Sequence, residues 1–316
     1  MQKNIFQIDN LFYSVNYVPI MRYLITGGEG FIGRYLKEEL ERGGNEVFSL
    51  DIEGRPDFKI SILDYPDLLD AMKGIDGVFH LAAVTAPPQF EVDPNAGFRT
   101  NVIGTLNVLQ SSASNGVKKA VLASSSSIYG NTLNPGSEDM QIYGHENLYA
   151  TTKLFDEYIG RYFTLRKELE VVSLRFFNTY GIGENSKGAY SSVISKFLDS
   201  ILKDEKPVIF GNGNQSRDFI YIKDLVEGAE KAMSYGIPGE IYNMGTGISY
   251  SFNRILEIIS LLLKREVLAE YIENPLKNYQ TFTQANMERT SSILKWKPRF
   301  SLLEGITEIC KNLGML

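Results

Sequence analysis

The sequence predicts an α/β fold with a doubly wound parallel sheet, and three observations predict it. Short apolar runs of strand length alternate with longer stretches of helical spacing over residues 23–175. A glycine cluster, Gly27-Gly28-Glu29-Gly30-Phe31-Ile32-Gly33, sits between the first such run and the first helical stretch. At 316 residues the chain can form one large α/β domain or two smaller ones, with an ample core.

The elements follow in order. Residues 23–26 form a short buried strand, and residues 34–40 have helical spacing, with Phe31, Leu36 and Leu40 able to share a face. A second strand covers 46–51 and a third 58–63. A fourth, 78–83, is apolar enough to be central, with His80 packed inside it. Asp93-Pro94 opens a long helix that runs through Asn101, Leu106 and Leu109 to Gly116. The fifth strand, 120–123, runs into four serines, Ser124 to Ser127. A second long helix covers 149–168 and a sixth strand 170–175. Past Tyr180 the rhythm changes to a glycine-rich loop (181–188), a helix (193–202) and a turn (211–215). A smaller lobe begins there, and the chain is expected to revisit the sheet near 218–222 and 240–243. The expected organisation is an N-terminal extension (1–20), a nucleotide-binding domain (21–180, joined by parts of 218–245) and a mostly substrate-binding lobe (181–316).

Composition excludes several classes. A hydrophobic content of 43% and a charged content of 22% are ordinary for a soluble globular protein. A net charge of -6 and the lack of a basic block argue against a nucleic-acid partner. The single Cys310 forbids an internal disulfide or a cysteine metal site. With His80 and His145 as the two histidines, neither a histidine metal site nor a Ser-His-Asp triad is expected, and no metal is assigned. No apolar run is long enough to span a membrane. In residues 1–20, Asp9, Asn10 and Asn16 interrupt the apolar stretches, so a signal peptide is not expected and the location is read as cytoplasmic.

Three stretches carry chemistry. The strand, glycine turn and helix start make a phosphate site, because glycines let backbone approach a pyrophosphate and a helix N-terminus offers free amides. The spacing Gly27-x-x-Gly30-x-x-Gly33 departs by one residue from the usual dinucleotide pattern, and a purely structural turn is the alternative. Asp51 ends the second strand where an acid accepts bonds from an adenosine ribose and repels a 2'-phosphate, favouring NAD over NADP; an exposed loop aspartate is the alternative. Tyr149 and Lys153 stand at i and i+4 on one helix face. A free phenol titrates near 10, and a neighbouring ammonium favours its ionised form. Such a pair can take and return a proton near neutral pH. The serines end the fifth strand at the carboxyl edge, where open α/β sheets bind ligands, although most of them serve only to cap or line a turn.

With these pieces in order, the chain resembles the extended short-chain dehydrogenases/reductases, and within them the NAD-dependent sugar-nucleotide epimerase/dehydratase family. The stretches that carry the resemblance are the glycine loop, Val78-Phe79-His80-Leu81-Ala82-Ala83, Asn101-Val102-Ile103-Gly104-Thr105, the serine cluster, Tyr149-Ala150-Thr151-Thr152-Lys153, Arg175-Phe176-Phe177-Asn178, Arg217-Asp218-Phe219-Ile220-Tyr221 and Tyr242-Asn243-Met244-Gly245. The resemblance implies a Rossmann-type sheet with a smaller C-terminal substrate-binding lobe, NAD as cofactor, and a homodimer packed through its two long helices. It places Ser125 at the catalytic Ser/Thr, and Tyr149 and Lys153 at the acid/base pair, with Lys153 also holding the nicotinamide ribose. Gly27, Gly30, Phe31, Ile32, Asp51, Ile62, Leu81, Ala82 and Ala83 would line the NAD cleft. Thr85, Ser125, Ser126, Asn178, Tyr190 and Arg217 would meet the nucleotide sugar, a UDP-sugar by preference. The arginine's planar fork suits a diphosphate.

The departures from the family pattern narrow the activity. Dehydratases of the family carry Asp-Glu just after the catalytic Ser/Thr, and decarboxylases keep the Glu; here Ser126 and Ser127 stand there, which disfavours both reactions. Ser61 replaces an aspartate near the adenine, and Leu276 a second phosphate-binding arginine that Lys277 could replace as a point charge. The implied activity is C4 epimerisation of a sugar of the UDP-glucose/UDP-galactose type through a 4-keto intermediate. A 4-keto-sugar reductase is the alternative, and a non-catalytic nucleotide-binding protein a further one.

Overall fold

A computed structural model describes residues 19–85, 87–142, 147–275 and 279–316. The expectations that rest on residues 1–18, His145, Leu276 and Lys277 lie outside the described residues.

The strand β1 (Arg22–Thr26) passes through the glycine turn into α1 (Phe31–Arg42) and β2 (Glu46–Leu50). Next come α2 (Tyr65–Ala71), β3 (Gly77–His80), α3 (Pro87–Val92) and α4 (Pro94–Phe98). Asp93 caps α4 by accepting a hydrogen bond from the Ala96 amide. A π turn at Arg99–Ile103 carries α4 into α5 (Gly104–Ser114), so the long helix expected there contains one widened turn. Then follow β4 (Lys119–Ser125), a 3-10 turn at Ser126–Tyr129, α6 (Leu148–Leu165) and β5 (Glu170–Phe176).

The order across the central sheet is β2-β1-β3-β4-β5 and then β9 (Ile241–Met244), and every pair is parallel. The chain steps outward from β1 to β2 and then returns to the other side of β1. The strand order reverses there, while all strands stay parallel, opening a crevice at the carboxyl ends of β1 and β3. Adjacent residues of each strand feed opposite faces. Leu24, Val78 and Leu122 pack with Leu68, Val108 and Phe163 from α2, α5 and α6. Ile25, Phe79 and Val121 join a second core that runs without a break into the C-terminal lobe.

That lobe holds β6 (Asn178–Tyr180), α7 (Val193–Leu202), β7 (Val208–Phe210), β8 (Ser216–Tyr221), α8 (Ile222–Tyr235), β10 (Ser249–Ser251), α9 (Phe252–Leu263), β11 (Glu270–Ile272), α10 (Glu288–Ile293) and α11 (Leu302–Asn312). Of these, α8 packs on α1 and the central sheet.

Two expectations need correction. The strand expected over 58–63 reduces to one bridge, Leu50 to Phe58. The Asp57 carboxylate and the Phe58 amide hold Ser49, but from Ser61 the chain turns away: its hydroxyl accepts from the Leu63 amide and its carbonyl from the Asp64 amide. The stretch 218–222 does form a strand, but β8 pairs with β6 and β10 in a separate three-stranded sheet. The place beside β5 is taken by β9.

Candidate active site

The glycine turn is shaped by contacts that only glycine permits. Gly27 has a φ of +71°, and a Cβ on it would lie 2.8 Å from the Ala82 amide nitrogen. A Cβ on Gly33 would lie 2.3 Å from the Gly27 carbonyl oxygen. The Gly27 and Gly28 amides both donate to the Leu50 carbonyl, which fixes the turn over β2. Gly30 gives α1 no side-chain cap, so the helix presents its positive end to the cleft bare.

A cleft of about 710 Å³ runs along this edge of the sheet. Gly27, Gly30, Phe31, Ile32, Asp51, Ile62, Leu81, Ala82 and Ala83 line it, as do Thr85, Ser125, Tyr149 and Lys153. Asp51 accepts the Glu29 amide at 3.0 Å, tying its carboxylate to the glycine turn. A second cleft of about 660 Å³ opens into the lobe and contains Asn178 and Arg217. Thr179, Lys187, Tyr190, Ser191 and Lys196 belong to both, so the two clefts are continuous. Ser126 lines neither cleft: it is buried in the 3-10 turn that follows β4. The structure thus brings the expected site residues together except for Ser126.

Local bonds set each of these side chains. Ser125 ends β4, and its Oγ accepts from the Ser127 amide and hydroxyl at 3.2 and 2.9 Å. Asn147 caps α6 by accepting the Ala150 amide at 2.8 Å, placing Tyr149 in the first turn. The Tyr149 ring packs on Phe90, centroids 6.0 Å apart. Lys153 is buried one turn further on, and its Nζ donates to Asp156 Oδ2 at 3.1 Å. Beneath it, His80 Nδ1 bonds Thr26 Oγ1 at 2.6 Å and Nε2 bonds Thr105 Oγ1 at 2.9 Å. Burial, aided by the Lys153 charge, pushes His80 down to about 3, so this histidine is a neutral packed residue.

Arg217 is buried and stacks near the Phe252 and Tyr279 rings, 5.7 and 5.3 Å from their centroids. Its guanidinium donates to the Ser216 and Gln280 carbonyls, and among the described residues no carboxylate pairs with it. A buried cation held only by carbonyls and rings is a ready partner for an anion. Asn178 donates to the Asp218 carbonyl and to Thr283 Oγ1, both at 3.2 Å.

Sequence reasoning missed four residues here. Asn101 ties the site together: it bonds both backbone groups of Val84 and donates to Thr152 on α6. It opens the stretch Asn101-Val102-Ile103-Gly104-Thr105. Lys187 and Lys196 stand at the junction of the clefts, and burial lowers both from the usual lysine range. Nothing in their spacing sets them apart from solvated lysines. Asp156 is the fourth.

A family model described as the NAD dependent epimerase/dehydratase family matches residues 23–245. The chain belongs to this family. Among curated relatives of this epimerase/dehydratase-family protein, the UDP-N-acetyl-alpha-D-glucosaminuronate decarboxylase of Bacillus cytotoxicus is 35% identical, covering 76% of the chain and 80% of the relative. The UDP-glucuronate 4-epimerase of Thermodesulfobacterium geofontis is 32% identical, covering 90% and 93%. Among solved structures, the UDP-N-acetylglucosamine 4-epimerase of Methanobrevibacter ruminantium superposes with a TM-score of 0.87 at 28% identity, covering 95% of this chain and all of that one. The family's cofactor is NAD, and the bare α1 terminus, the glycine turn and Asp51 fit a dinucleotide: amides for the pyrophosphate and a carboxylate for a ribose.

Proposed function

We propose that this protein is a self-contained C4 epimerase of a UDP-sugar, working through a transient 4-keto sugar with no net use of cofactor. The observation that carries this reading is the presence of Ser125, Tyr149 and Lys153 on the cofactor cleft beside its junction with the cleft of Arg217. In this reading residues 21–180 chiefly serve the cofactor and residues 181–316 mostly the substrate.

Tyr149 Oη takes the proton of the C4 hydroxyl and later returns it. Ser125 Oγ donates a hydrogen bond to the same oxygen, and Lys153 sets a positive charge one helical turn from the phenol. When bound, NAD would supply the hydride acceptor and donor for C4 of the sugar. Arg217 holds the diphosphate, while Thr85, Asn178 and Tyr190 bound the space in which the keto sugar turns over to present its other face. Lys187 and Lys196 stand at the junction beside the buried Glu184 carboxylate, 3.7 Å from Lys187, which offsets their charge. Ser126 and Ser127 offer no second carboxylate, which weighs against dehydration and decarboxylation despite the decarboxylase relatives. A 28% identical dTDP-4-dehydro-6-deoxyglucose reductase of Escherichia coli keeps the reductase alternative in the assay. A reductase would consume reduced cofactor one for one.

Tyr149→Phe tests the reading: turnover should fall by at least about a hundredfold while purified protein keeps its NAD. Near-normal turnover would reject the role of Tyr149. The same reading carries a homodimer through the face of α6 that leaves Phe155, Tyr158, Tyr162 and Leu165 exposed. Light scattering should give twice the 35.6 kDa chain mass, and a monomer would contradict it.

A further inference from the structure

Asp156 is not accounted for by the reaction above, yet it is the carboxylate against the buried end of Lys153. Its Oδ2 accepts from Lys153 Nζ at 3.1 Å, and the two side chains are 3% and 5% exposed. An acid three residues after a lysine on a solvated helix face makes a weak, mobile pair. This pair is sealed inside the protein, and Asp156 Oδ1 has no hydrogen-bond partner. A half-satisfied buried carboxylate costs stability, so packing alone does not explain it. The other groups around it leave Lys153 as its partner. Glu157, next on α6, is bound by Arg175 and Ser124. His80, on β3, is neutral and held by Thr26 and Thr105. The Thr105 hydroxyl, on α5, favours the charged carboxylate.

We propose that Asp156 is a positioning residue that anchors the Lys153 ammonium in line with Tyr149, and that its protonation sets the acid end of the working range. This rests on the assignment of Tyr149 and Lys153 as the acid/base pair. Burial pushes the Asp156 carboxyl up to about 6, with Lys153 and Thr105 pulling the other way. As the pH falls through that value the carboxylate is neutralised, and Lys153 loses its anchor.

The test uses the full chain with bound NAD and lysines labelled at 13Cε. The Lys153 signal, identified by its loss in Lys153→Met, should move with a midpoint near pH 6 in the native protein and show no such step in Asp156→Asn. With a UDP-sugar that turns over, the acid limb of kcat should share that midpoint. In Asp156→Asn the limb should vanish, and kcat at neutral pH should fall about ten- to a hundredfold with KM little changed. A Lys153 signal without a step in the native protein would overturn the proposal, and so would an Asp156→Asn enzyme with native rate and native acid limb. If Asp156→Asn does not fold, Thr105→Val removes the hydroxyl that favours the carboxylate and should shift both midpoints to higher pH; unmoved midpoints count against the proposal. If Tyr149→Phe and Lys153→Met both retain turnover, the acid/base assignment fails and takes this inference with it. If both are inactive while Asp156→Asn is unchanged, the inference fails alone.

Discussion

Asp156 and His80 lie against the same lysine, and burial moves them in opposite directions. Loss of water disfavours the charged form, raising the acid to about 6 and lowering the base to about 3. The consequences for stability are opposite in sign. Folded His80 refuses a proton that the unfolded chain accepts, so its contribution is present above 6.5 and is lost as pH falls through about 3. Folded Asp156 keeps a proton that the unfolded chain gives up, so its contribution is present below 3.8 and is lost as pH rises through about 6. Asp156→Asn removes only the second. Its stability relative to the native protein should therefore improve by about 2 kcal/mol between pH 4 and pH 7. Urea unfolding at the two pH values measures this, and a constant difference would contradict it. Arg217 makes a separate prediction. Arg217→Lys keeps the charge but loses the fork and the ring stacking, so KM for a UDP-sugar should rise about tenfold or more with kcat changed less. An unchanged KM would remove Arg217 from substrate binding.

At the scale of elements, the unit of β1, the glycine turn and α1 both builds the fold and makes the dinucleotide site. Gly33→Ala would force a Cβ to within 2.3 Å of the Gly27 carbonyl oxygen, so the turn must open. The variant should be purified without NAD, and a normal cofactor content would show that the turn tolerates the change. This unit was legible because its sequence has few other solutions: a strand-length apolar run, crowded glycines, then a helix with Phe31, Leu36 and Leu40 on one face. The Tyr149 and Lys153 spacing was legible for the same reason, since a helix turns it into one face. Residues 58–63 were less so, because their apolar alternation is what an edge strand needs and the turn at Ser61 rests on two local bonds, to its hydroxyl and to its carbonyl. The strand character of β8 could be read, but alternation does not say which sheet a strand joins. Asp156 looked like one of many surface acids, and only burial against Lys153 distinguishes it.

Across the whole molecule, one apolar core links the central sheet to the lobe, from Ile25 and Phe79 to Phe197, Phe219 and Ile255. The two clefts are therefore walls of a single packed body. Among the described residues, no helix is long and apolar enough to cross a membrane. The central sheet is filled from both faces, so Leu24→Ala, at a side chain with no exposure, should cost about 2–5 kcal/mol in unfolding free energy without changing cofactor content at low temperature. The continuous cleft is what the proposed chemistry requires, with a nucleotide held at Arg217 and a sugar free to turn beside Tyr149. The direct measurement is proton NMR of UDP-glucose, UDP-N-acetylglucosamine and UDP-glucuronate, each incubated with purified protein and no added cofactor. At least one should be converted to its C4 epimer while the absorbance of reduced cofactor stays constant. Loss of carbon dioxide, one-for-one consumption of added reduced cofactor by a 4-keto sugar, or no conversion of any sugar even with NAD supplied would contradict it.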